Sequence, residues 1–168
     1  MGDGSLLGSL ARGLVAGLAG TAAMTAYQLA VARARGEAAG TPVPRTWVEA
    51  PAPAQVVKKV ATALGRGRSV TKQDVPFVTY LVHWVYGATL GMAYGAAAHA
   101  LRPPTATGAL GLGTTAWGAQ YAELVPLGIA KPPWRYPPQE AALDLSYHLV
   151  YGAGVAATYA ALEPASSS

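Results

Sequence analysis

Four stretches of the chain are nearly free of charge, and the segments between them collect charge, proline and tryptophan. They run from Gly13 to Ala32, Val75 to Leu101, Thr105 to Val125 and Ala141 to Leu162. Each has about the 20 mainly apolar residues that a helix needs to cross a bilayer. Pro103-Pro104 separates the second stretch from the third, Pro126 closes the third, and the prolines from Pro132 to Pro138 make a stiff loop before the fourth. Between the first two stretches, Val56, Val57, Val60 and Leu64 fall on one side of a helix over Ala54–Leu64. That pattern predicts a short amphipathic helix on the cytoplasmic surface, or a soluble lid. The fold expected is therefore all-α: a single integral membrane domain over residues 1–168, a four-helix transmembrane bundle plus one amphipathic helix.

The apolar stretches also repeat. His83 to Ala96 and His148 to Ala161 share the pattern H-x-V-Y-G-A-x5-Y-x-A at an offset of 65 residues. GTAAMTA from Gly20 matches GTTAWGA from Gly113 more weakly, and each is followed by a loop rich in tryptophan and proline. The unit is a helix, a Trp/Pro loop and a second helix, used in tandem over 13–101 and 105–162. Two spans per unit insert both copies the same way up.

Charge sets the orientation. Of twelve Lys and Arg residues, eight lie between spans one and two, and Lys131 and Arg135 lie between spans three and four. Arg12 and Arg102 fall on the other side. The positive-inside rule then makes loops 33–74 and 126–140 cytoplasmic and sets both termini outside. A cleaved signal peptide ending near Ala30-Val31-Ala32 would leave the most basic loop outside, against that rule. The net charge of +4 sits beside apolar spans, where it meets lipid head groups rather than nucleic acid. Hydrophobic residues make up 52% and charged ones only 12%, as expected where lipid is the solvent. The absence of cysteine excludes disulfides, thiolate catalysis and sulfur-ligated metals. Walker, dinucleotide, nucleophile-elbow and HExxH patterns are also missing, so no enzyme is expected.

The repeat places polar groups deep in the spans. His83, Tyr86, Gly87 and Tyr94 share one stripe, and His148, Tyr151, Gly152 and Tyr159 share its counterpart. Both histidines come to lie roughly 12 Å from the cytoplasmic start of their spans, near the midplane. Asp144 precedes His148 by four residues, whereas Thr79 occupies the equivalent position of the first copy. Gln28, Gln120 and Glu123 add polarity. The cluster His83, Tyr86, Asp144, His148 and Tyr151 has three readings. It could be interhelical glue in a structural or accessory subunit. It could respond to or conduct protons or a small ligand. Or His83 and His148 could hold a b-type haem, with Gly87 and Gly152 making room for the ring. Gly13, Gly17, Gly87, Gly91, Gly95 and Gly152 are packing positions, within the bundle or in a homo-oligomer or larger membrane complex. Trp47 and Trp134 are interfacial anchors, and Trp84 and Trp117 are packing residues.

The stretch LVPLGIAKPPWRYPPQEAALDLSYHLVYG, Leu124 to Gly152, resembles the YagU-like family of small bacterial inner-membrane proteins. That family similarly runs from a span ending in a Pro–Gly turn, through a Pro/Trp loop, to an acidic residue and a His-bearing last span. The resemblance implies a bacterial inner-membrane protein linked in some members to acid tolerance.

Overall fold

A computed structural model describes residues 5–37 and 40–163. Its elements are helices α1 (Leu6–Ala34), α2 (Ala52–Ala63), α3 (Val75–Leu101), α4 (Thr105–Leu124) and α5 (Pro138–Ala161), with short 3-10 turns between them. Among the described residues there is no strand, so the fold is all-helical.

Local chemistry explains the boundaries. α3 begins where the Thr71 backbone N–H and hydroxyl both donate to Asp74 Oδ2 at 2.8 Å, a capping arrangement just ahead of Pro76. It ends at Arg102, whose φ of 46° is left-handed, immediately before Pro103-Pro104. α1 starts earlier than its apolar stretch, because Ser5 Oγ accepts the Gly8 N–H at 3.1 Å and caps the helix at Leu6. Arg12 is thus not in a flanking loop, as the charge pattern implied, but inside α1. Its Nη2 donates to Ser9 Oγ at 3.0 Å, and its guanidinium lies 5.6 Å from the centre of the Tyr159 ring.

The four long helices lie in the lateral order α3, α1, α5, α4. α1 packs along both α3 and α5, and α4 packs along α5. α3 and α4 are consecutive in the chain yet share little, although Tyr94 reaches Gly108 near their connecting turn. Glycine permits the close approaches. A Cβ on Gly17 would lie 2.6 Å from the Gly87 carbonyl oxygen, and one on Gly152 would strike the Ala109 carbonyl. Gly17 stands to Gly87 as Ala109 stands to Gly152, so packing relates α1 to α4 at an offset of 92. The sequence match of Gly20 with Gly113 is one residue out of that register, which instead pairs Gln28 with Gln120.

α2 crosses one end of the bundle. Ala50, Ala54 and Val75 form a small core there with Trp47 and Val78. Lys58 Nζ lies 4.7 Å from the centre of the Trp47 ring and donates to the Gly67 and Val70 carbonyls. Trp47 is therefore half-buried beneath a cation, while Trp134 is 80% exposed.

Among the described residues, α1 alone is both long and apolar enough to cross a membrane by composition. α3, α4 and α5 have 27, 20 and 24 residues, but their Tyr, His, Thr and Gly content lowers the apolar mean.

Candidate functional site

Between α1, α3, α4 and α5 lies a cavity of about 290 Å³, with Ala52, Pro53 and Val56 of α2 across its end. All five residues of the expected polar cluster line it: His83 and Tyr86 from α3, and Asp144, His148 and Tyr151 from α5. Gln28, Gln120 and Glu123 complete the polar wall, and Met24, Leu90 and Ala116 supply apolar surface.

The two histidines are held differently. The Thr25 hydroxyl donates to the Thr21 carbonyl at 2.8 Å, so the same oxygen accepts from His83 Nε2 at 3.3 Å. His148 Nδ1 donates to the Asp144 carbonyl at 2.8 Å. Neutral His83 thus carries its hydrogen on Nε2 and neutral His148 on Nδ1, each with one ring nitrogen left to accept a proton.

The Asp144 side chain makes no hydrogen bond to His148; its Oδ1 is 3.9 Å from His148 Nδ1. Its carboxylate is engaged by α4 instead. Trp117 Nε1, Gln120 Nε2 and Tyr121 Oη donate to Oδ2 at 3.0, 2.7 and 2.9 Å. Trp117, Gln120 and Tyr121 share one helical face, which is the signal by which sequence could have found them. Trp117, expected only to pack, is therefore a donor to Asp144, and Tyr121 is a donor that no sequence expectation names.

The two tyrosines matched in the sequence pattern are also held differently. Tyr151, 3% exposed, donates to the Gly87 carbonyl at 2.6 Å and closes the inner end of the cavity. Beyond it, Val155 is fully buried, and Tyr94 meets Tyr159 edge-on with ring centres 5.5 Å apart. Tyr86, 36% exposed, donates to Glu123 Oε1 at 3.1 Å and bridges from α3 to α4. A second polar group sits at the far end of the bundle, where Ser9 Oγ is 3.4 Å from His99 Nδ1 beside Arg12. No sequence expectation had singled it out.

Gly87 and Gly152, which the haem reading needs as space for a ring, face Thr21 on α1 and Ala109 and Gly113 on α4. Among the described residues no group of three His, Cys, Asp or Glu side chains is arranged to hold a metal ion. Comparison with family models, with curated proteins and with solved structures found no match.

Proposed function

We propose that this chain is a non-enzymatic four-helix protein of the bacterial plasma membrane that binds a small hydrogen-bonding ligand beside His83 and His148. One observation carries the reading: a cavity with a polar wall, covered by α2 at one end and closed by Tyr151 at the other. A pocket blocked at its inner end favours binding and response over conduction. Imidazole is the side chain whose charge ordinarily changes near neutral pH, so two of them in the wall suit a pH-sensitive response. This agrees with the acid-tolerance link implied by the YagU-like resemblance.

The membrane part rests on where apolar surface and charge lie. Leu14 and Val15 on α1, Phe77, Leu81 and Val85 on α3 and Leu110 on α4 are all well exposed, and surface of this kind is ordinarily covered in a monomer in water. The lipid bilayer is the partner that covers it. The basic loops put the α2 end of the cavity on the cytoplasmic side and both termini outside. The common register of the two hairpins supports a tandem repeat. A purely structural role has one observation in its favour, the three donors that tie Asp144 to α4.

Thermal unfolding in lipid nanodiscs separates these readings. The probes are ethylammonium, acetamide and glycerol, each at mildly acid and at neutral pH. At least one should raise Tm saturably, and His83→Gln and His148→Gln should each abolish that shift while unfolding near the wild-type temperature. No shift from any probe, together with a large loss of Tm in both variants, would overturn binding in favour of structural glue.

A further inference from the structure

The bundle is closed unevenly, and the repeat identifies the residues responsible. On the α1–α5 side the helices touch through glycine: a Cβ on Gly154 would come 3.0 Å from Gly20 Cα and 3.3 Å from Ala23 Cβ. At the offsets of 92 and 65, the counterparts of Gly20, Ala23 and Gly154 on the α4–α3 side are Leu112, Thr115 and Thr89. Two glycines are thus replaced by a leucine and a threonine. The larger residues coincide with the separation of α3 from α4, which meet near their turn and share little beyond it. Leu90 and Leu112 are half-buried against the core beside this gap, Thr89 and Thr115 are exposed, and Tyr86 reaches across it to Glu123.

The cavity at the inner end of the gap has its own charge character. Glu123 and Asp144 line it, and among the described residues no Lys or Arg does. Asp144 Oδ1 accepts none of the three bonds from α4. An anionic head group would meet two carboxylates with no Lys or Arg to offset them, whereas an ammonium group would meet carboxylates and the Tyr86 and Tyr151 rings.

We infer that the α3–α4 gap is a lateral portal through which an amphipathic amine reaches the cavity from the bilayer. The ammonium head lies among Glu123, Asp144 and Tyr86, and the hydrocarbon tail runs out along Leu90 and Leu112. This deepens the binding function proposed above and rests on its membrane setting.

The test uses the full chain in phosphatidylcholine nanodiscs with decylamine carrying a photoreactive diazirine at its tail. Labelling should saturate, fall on α3 and α4 peptides bordering the gap, and be displaced by unlabelled decylamine about tenfold better than by decanoate. Thr115→Trp and Thr89→Trp, which fill the gap from opposite walls at exposed positions, should each cut labelling about tenfold. Both variants should keep whatever Tm shift ethylammonium gives the wild type. Unsaturable labelling spread over the outward faces of all helices, or labelling unchanged in both variants, would overturn the portal. Equal competition by decanoate would overturn the amine. If ethylammonium, acetamide and glycerol give no shift while decylamine labelling stays saturable and variant-sensitive, the portal stands and the small-ligand reading alone falls.

Discussion

Tyr86 and Tyr151 match at the 65-residue offset, yet one is at the cavity's exposed edge and the other closes its floor. The same contrast separates Thr79 from Asp144, and only the latter gathers donors from a neighbouring helix. Asp144→Ala strips three partly buried donors of their acceptor, and each such loss costs about 1–3 kcal/mol. Equilibrium unfolding in detergent should therefore register a loss of several kcal/mol, with Asp144→Asn intermediate because one acceptor oxygen remains. Glycine contacts can be tested in the same assay. A Cβ on Gly113 would fall 2.8 Å from the His148 carbonyl oxygen, so Gly113→Leu should cost about 1–3 kcal/mol through overpacking. Arg102 offers a gain: its left-handed φ of 46° is strained for a residue with a Cβ. Arg102→Gly should raise stability by about 1 kcal/mol in that assay. At this scale the polar cluster was legible in the sequence, since His83, Tyr86, Asp144, His148 and Tyr151 all line one cavity. The donors to Asp144 were not, because they come from α4, and no spacing within α5 reports which neighbour it faces.

Among the elements, α2 is held by a small core around Ala54 and by the side chains of Gln55 and Lys58. Lys58 covers Trp47 and joins two carbonyls in the segment leading to α3. Lys58→Met should let α2 open more often, and its backbone amides should exchange about tenfold faster than in the wild type, equivalent to about 1.4 kcal/mol. The start of α3 carries a pH dependence. Donation from the Thr71 backbone and hydroxyl holds the Asp74 carboxyl below its ordinary range. A carboxyl whose pKa is lower in the folded state stabilises fully above the unfolded value and loses that stabilisation as pH falls through the folded one. An acid titration followed by circular dichroism should show fraying at the α3 start only on the acid side of the usual carboxylate range. Asp74→Asn should remove that pH dependence. The limits of α3 could be read from sequence because prolines and charge bracket it, and Val75–Leu101 agrees residue for residue. The start of α1 could not, because Ser5 and the two leucines after it precede Arg12, which looked like a boundary.

Across the whole molecule, the lateral order of helices decides where the cavity lies. Sequence pattern pairs α1 with α3 and α4 with α5, but it does not reveal that α1 and α5 take the middle and leave α3 and α4 apart. Of the two interfaces matched by the repeat offsets, only α1–α5 has glycine on both sides, Gly20 against Gly154, which lets those backbones approach. Restoring glycine on the other side should close the gap. In Thr89→Gly/Leu112→Gly, spin labels at Val85→Cys and Ala122→Cys should move several ångströms closer than in the parent, as expected when small residues let helix backbones approach. The cysteine-free chain makes that pair of labels unique. The same lateral order also schedules assembly during synthesis. α1 and α3 can zip together as soon as both have been made, but α4 then emerges with almost no surface of its own to lean on. It must wait for the last helix, α5, which docks on α1 and clasps α4 through Asp144. A ribosome stalled after α4 should therefore display a sound hairpin with one stray helix, the stretch that quality-control proteases would find first.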